Sequence, residues 1–116
     1  METSPTSGLE TQVHQQLRDC SQIFLALADP IRQDIIMMLT KHDTLNVAQI
    51  VERSPMSRSA ISHHLKILRQ ADLISSNKVA TEIFYSLDIE NPVSLLKAFI
   101  ETTERIIELK SISEAE

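Results

Sequence analysis

The chain has 116 residues, 42% hydrophobic and 3% aromatic, with one Gly, one Cys, no Trp and a net charge of −5. That length suits one domain with its own core, built from Ile, Leu, Val, Met and Ala rather than from rings. One cysteine excludes a disulfide framework, the scarcity of glycine argues against phosphate-cradling loops, and no run approaches the roughly 18 apolar residues that span a bilayer. The opening METSPTSGLETQ has neither the basic nor the apolar segment of a secretory signal, so a cytoplasmic protein is expected.

Residues 1–8 are polar and are expected as a disordered tail. From Leu9 to Ala28 a helix is predicted, with Val13, Leu17, Cys20, Phe24 and Leu27 on one stripe. Asp29-Pro30 then offers an N-cap and a first helical position for a second helix reaching Thr40. It turns Ile31, Ile35, Met38 and Leu39 inward. Residues 41–44 read as a loop. A short third helix follows, Val47 to Arg53, and Ser54-Pro55 stops it. Ser57 caps a fourth helix that ends near Ala71. Leu73–Ser76 and Glu82–Leu87 read as two strands of a hairpin across Asn77–Thr81, and Asn91-Pro92 opens a last helix to Lys110, before a tail at 111–116. The fold class is therefore mostly α with a small β-hairpin wing: five helices in a single winged helix-turn-helix domain over 9–110.

The fourth helix is the most informative segment. At 100° per residue, Ala60, Ile61, Leu65, Ile67, Leu68 and Ala71 share one side. Arg58, Ser59, Ser62, His63, Lys66, Arg69 and Gln70 share the other, and no carboxylate stands among them. A solvated helix commonly mixes acids with bases. Hydroxyls beside bases suit a nucleic-acid groove, where Ser reaches phosphates or base edges and Arg and Lys supply charge or read guanine. A merely basic surface helix is the alternative, and its place between short helices and a hairpin favours the groove. The charge agrees: residues 53–78 hold five bases against Asp72 alone, while the remainder holds six bases and fifteen acids. Screening over roughly 8–10 Å lets a phosphate backbone feel the local patch more than the total.

Three runs carry a family resemblance: Ala26-Leu27-Ala28-Asp29-Pro30-Ile31-Arg32, Asn46-Val47-Ala48-Gln49-Ile50, and Met56-Ser57-Arg58-Ser59-Ala60-Ile61-Ser62-His63-His64-Leu65-Lys66-Ile67-Leu68. With Leu73-Ile74 and Phe84-Tyr85-Ser86-Leu87, they resemble the ArsR/SmtB family of bacterial winged-helix repressors. The resemblance implies a homodimeric repressor of a double-stranded DNA operator, with no catalytic residues. Its DNA contacts fall on Ser57, Arg58, Ser59, Ser62, His63, Lys66, Arg69 and the wing's Lys78. Two departures stand out. Asp72 occupies a place the family usually gives to glycine before its first wing strand, and the wing tip, 77–82, keeps one base and gains Glu82.

The family's two usual metal sites lack ligands here, so no metal and no cofactor is expected. The third-helix stretch Leu45–Ile50 has no thiol, and Ile89, Asn91, Thr102 and Arg105 fall where the last helix of relatives carries ligands. His63 faces the polar side, in contact with DNA or simply solvated; His64 falls in the apolar arc as a hydrogen-bonded core histidine. Cys20 lies in an apolar stripe, where a thiol packs as a small hydrophobe. Val93, Leu95, Leu96, Phe99, Ile100, Ile106 and Ile107 cover about 160° of the last helix, wider than the usual single-face stripe. A second subunit is expected on part of that arc. Val13, Leu17 and Phe24 of the first helix and Leu96, Phe99, Ile100, Thr103 and Ile107 of the last are the predicted dimer contacts. Two other readings stay open: a winged-helix module that docks a protein and no longer binds DNA, and a repressor gated by a thiol or small ligand. No inducer and no membrane contact is indicated.

Overall fold

The computed structural model describes residues 5–115. In chain order it runs α1 (Ser7–Asp19), α2 (Ser21–Leu27), α3 (Pro30–Lys41), β1 (Leu45–Asn46), α4 (Val47–Glu52), α5 (Arg58–Gln70), β2 (Ile74–Val79), β3 (Glu82–Leu87) and α6 (Glu90–Ala115). The expected winged helix-turn-helix build is present, with six helices in place of five and a third strand beside the hairpin.

Residues 22–92 form one compact unit. Asp29 starts α3 by accepting the backbone N–H groups of Ile31 (2.8 Å) and Arg32 (3.1 Å), with Pro30 in the first turn. A reciprocal capping box starts α4: Asn46 Oδ1 accepts from Gln49 N, and Gln49 Oε1 accepts from Asn46 N. Behind these helices Ala26, Ile35, Leu39, Leu45, Ile50, Ile61, Leu65, Leu68, Ala71, Leu73 and Ile74 make one buried cluster. The core is aliphatic, as the composition requires.

β3 is the central strand, antiparallel to β1 and β2, in the order β1-β3-β2. The wing is longer and its turn tighter than the sequence suggests. β2 continues to Val79, which pairs with Glu82, so only Ala80 and Thr81 make the turn. A two-residue hairpin loop needs a positive φ that usually recruits Gly or Asn; Ala80 takes it, at 58°. Asp72 does the same after α5, also at φ 58°. There its N–H donates to Arg69 O (3.0 Å) and the Leu73 N–H donates to Leu68 O (3.1 Å), a Schellman ending. The backbone thus makes a left-handed turn here without a glycine.

The described parts of 1–21 and 93–116 form a second unit, made chiefly of α1 and α6. The predicted helix from Leu9 to Ala28 is in fact two. The break falls at Cys20, next to Ser21, whose hydroxyl donates to Leu17 O at 2.8 Å. At the far end α6 passes the expected stop at Lys110 and runs through Ala115, since 111–115 holds no glycine or proline to end it. The expected C-terminal tail at 111–116 is therefore helical as far as Ala115. Likewise α1 begins at Ser7, inside the expected tail 1–8, its first turn tied by Thr6 Oγ1 donating to Glu10 Oε1 (2.6 Å). Residues 1–4 and 116 of those two tails lie outside the described residues. No helix among the described residues is long and apolar enough to cross a membrane.

Candidate nucleic-acid interface

α5 owes its position to both ends and to one side. Ser54 Oγ accepts the Met56 N–H (3.1 Å) in the turn before it, and Ser57 Oγ accepts the Ala60 N–H (3.3 Å) at its start. Ile61, Leu65 and Leu68 anchor the inner side. The other side stands in solvent: Ser57, Arg58, Ser59, Ser62, His63, Lys66, Arg69 and Gln70 are all exposed. No acid lies between Arg58 and Gln70, so the helix presents an uncompensated positive face.

The structure sorts the predicted residues into groups. Ser62, Lys66 and Arg69 line one cavity of about 340 Å³, together with Gln70 and with Tyr85 of β3. Arg58 lines a separate, smaller cleft with Asn46, Val47 and Ala48 of the α4 start and Thr81, Glu82 and Ile83 of the wing. Ser57 and Ser59 bring their hydroxyls within 3.3 Å at the first turn. Lys78 is exposed on β2, opposite Ile83, and lines neither cavity. Arg53 folds back to donate to Gln49 O at 2.8 Å, capping its own helix. Tyr85 was missed as a site residue. The alternation of β3, which puts Tyr85 and Leu87 on one face of the strand, is the signal that points to it.

His64 is tied into a network behind the helix. Arg32 is buried; its Nε donates to Ala26 O (2.9 Å), its Nη2 to Leu25 O (2.9 Å) and its Nη1 to His64 Nδ1 (3.1 Å). A guanidinium only donates, so in this contact the ring nitrogen is the acceptor. Asp29 completes the group, with Oδ2 at 3.9 Å from Arg32 Nη1. The backbone N–H of Arg32, that of Ile31 and the guanidinium charge hold the Asp29 carboxyl below the usual carboxylate range. Arg32 thereby ties the end of α2, the start of α3 and the inner side of α5 together. The Asp-x-x-Arg spacing quoted from the sequence is thus a structural clamp.

Cys20 is fully buried, and burial first, then the neighbouring Asp19, push its thiol up. Such a thiol is a poor nucleophile and a poor ligand. Among the described residues no group of three or more His, Cys, Asp or Glu side chains is placed to hold a metal ion.

Residues 29–76, from the α3 cap through the start of the wing, match the family described as "Bacterial regulatory protein, arsR family". The chain is 38% identical over 68 residues to the transcriptional repressor SdpR of Bacillus subtilis, covering 59% of this chain and 74% of that one. It is 31% identical over 86 residues to the transcriptional repressor PagR of Bacillus anthracis, covering 72% and 86%. The crystal structure of PagR superposes with a TM-score of 0.60 at 29% identity, over 73% of this chain and 97% of that one. An ArsR-like transcriptional regulator from a Rhodococcus species superposes at 0.65 with 28% identity, over 86% and 94%. The chain belongs to the arsR family of bacterial regulatory proteins; it is a DNA-binding transcriptional regulator and not an enzyme.

Proposed function

We propose that this protein represses transcription by binding, as a homodimer, a near-palindromic operator in double-stranded DNA in the cytoplasm. The observation that carries the reading is the exposed, carboxylate-free side of α5, in which Arg58, Ser59, Ser62, His63, Lys66 and Arg69 stand opposite the buried Ile61, Leu65 and Leu68. In a dimer two such helices enter successive major grooves about 34 Å apart. Lys78 on the wing adds one further phosphate contact.

The dimer reading rests on α6. Val93, Leu96, Ile100, Thr103 and Ile107 follow alternating three- and four-residue steps, the spacing of a helix seam. Val93, Ile100 and Ile107 are 49%, 52% and 63% exposed. Leu17 and Phe24 are also exposed, while Val13, Leu96, Phe99 and Thr103 are half-buried. An isologous contact through α1 and α6 would cover the apolar side chains they expose, and Phe24 of α2 is a further proposed dimer contact. Operator binding is metal-independent in this reading, because the ligand positions inferred from the family hold no usable donors, and Cys20 takes no part as a redox switch.

A footprint tests the whole. The purified protein should protect a discrete inverted repeat, and the protection should be unchanged by stoichiometric zinc, cobalt or cadmium. Absence of any protected sequence overturns the proposal; release by metal overturns its metal-independent part.

A further inference from the structure

The cavity between α5 and the central strand has a lining of one chemical kind. Ser62, Lys66, Arg69 and Gln70 come from the helix and Tyr85 from β3. The four helix residues stand at i, i+4, i+7 and i+8, one stripe of an α-helix. Together they offer an ammonium, a guanidinium, an amide NH2 and two hydroxyls, with no carboxylate. Among the described residues none of these five side chains makes a hydrogen bond or ion pair with the rest of the protein. Arg69 also borders the neighbouring cavity with Asp72 and Asp88, yet pairs with neither.

We propose that this cavity seats one backbone phosphate of duplex DNA, with Tyr85 and Gln70 as contacts beside Lys66 and Arg69. The inference rests on the DNA-binding reading above and deepens it, by dividing α5 into two parts. Residues at the start of a recognition helix meet base edges. Arg69 lies eleven residues beyond Arg58, about 16 Å along the axis at 1.5 Å per residue. The major groove is only about 12 Å wide. A straight helix angled into it therefore carries Arg69 out over the flanking strand, where phosphates are the available partners. A phosphodiester supplies the acceptors that five unpartnered donors lack, and charge-assisted bonds to it are the strong kind. Tyr85 is suited to the task because its backbone is fixed by pairing with Ser76 and Leu45, and its ring packs on the buried cluster. A phenol held in this way loses little freedom on binding.

Tyr85→Phe and Gln70→Ala test the seat, since the first keeps the ring in the core and the second lies on the exposed side. Binding is read by fluorescence anisotropy on the footprinted repeat and on an unrelated duplex of about 30 base pairs. The same duplexes are repeated with methylphosphonates that neutralise one phosphate at a time. Each variant should bind about five- to tenfold more weakly, by the same factor on both sequences. Lys66→Gln should lower the slope of log K against log salt by about one. At one methylphosphonate position wild type should lose affinity and Tyr85→Phe should lose no more. Wild-type affinity in Tyr85→Phe on both duplexes, or a loss confined to the repeat, overturns the phosphate seat and leaves DNA binding intact. Failure of the wild type on every duplex overturns both readings together.

Discussion

Helix α5 turns its apolar side inward, with Ile61, Leu65 and Leu68 buried, and exposes bases, serines and an amide with no acid among them. Helix α6 does the reverse. Its exposed charges are mixed, Lys97 and Arg105 with Glu101, Glu104 and Glu108, and Arg105 donates to Glu108 at 3.4 Å. What α6 leaves open is apolar, at Val93, Ile100, Ile107 and Ile112. Each helix is thus incomplete in a different currency of interaction. An uncompensated row of cations calls for a polyanion, while a row of exposed isoleucines calls for another apolar surface. Function in this small chain is written in what each helix fails to satisfy for itself.

The largest effect should come from spoiling the α6 side. Ile100→Glu puts a carboxylate into the proposed seam, where an unpaired ion is strongly disfavoured. Sedimentation should show a monomer, and affinity for the inverted repeat should fall by more than about a hundredfold. A lone half-site forgoes its partner's base contacts, each mismatch-equivalent being worth about 1–3 kcal/mol. A wild-type protein that sediments as a monomer at micromolar concentration while binding the repeat tightly would break this half of the comparison.

The next effect should come from behind α5. Arg32→Met removes the donors that reach Ala26 O, Leu25 O and His64 Nδ1, so that Leu25 O keeps only the long bond from Ala28 N (3.4 Å) and the other two lose the guanidinium. A loss of about 3 kcal/mol in urea unfolding is expected. Arg32→Lys should restore little, because one ammonium cannot reproduce a planar fork. Full rescue by lysine would show that charge rather than geometry matters. On the exposed side Arg58→Ala should leave unfolding unchanged and weaken operator binding by about 1–3 kcal/mol. If Arg58 reads a base, the loss on unrelated DNA should be smaller.

The exposed side of α5 was legible because a 3.6-residue period separates polar from apolar positions whatever surrounds them. The α6 stripe was legible for the same reason. Most of what escaped depends on contacts distant in sequence. β1 is two residues long and exists only because β3 lies beside it. The α1–α2 break falls at Cys20, where no glycine or proline marks it, and the place of Tyr85 turns on a strand brought against α5 from fifteen residues beyond its end. The Arg32 clamp reaches 32 positions ahead to His64. Periodicity carries no information about such pairs.

The same clamp predicts a pH dependence. The Asp29 carboxyl is held below its ordinary range by the Arg32 and Ile31 N–H groups and by the Arg32 charge. Its contribution is complete above the unfolded carboxylate pKa of about 3.9 and is lost as pH falls through the lower, folded value. Urea midpoints should therefore drop on acidification below about pH 4. Asp29→Asn keeps a capping oxygen without a titrating charge. It should flatten that part of the profile, and an unaltered profile would show that other carboxylates dominate.

The smallest effects should come from the two left-handed residues, which separate strain from charge. Ala80 and Asp72 both sit at φ 58°. That region costs a residue with a Cβ about 1–2 kcal/mol, less for Asp, and glycine recovers part of it after its own entropy loss. Ala80→Gly should thus raise stability by about 0.5–1 kcal/mol and leave DNA affinity alone. Asp72→Gly should gain from two sources. It relieves the backbone, and it removes an anion from the carboxyl end of α5, where the helix dipole disfavours negative charge. It also deletes the one acid among the five bases of residues 53–78, so duplex binding should tighten by a few-fold at low salt and converge with wild type as salt rises. Asp72→Asn tolerates the same backbone and removes only the charge. It should reproduce the tighter binding, and equal affinity of wild type and Asp72→Asn at low salt would show that this carboxylate lies outside the field felt by the DNA.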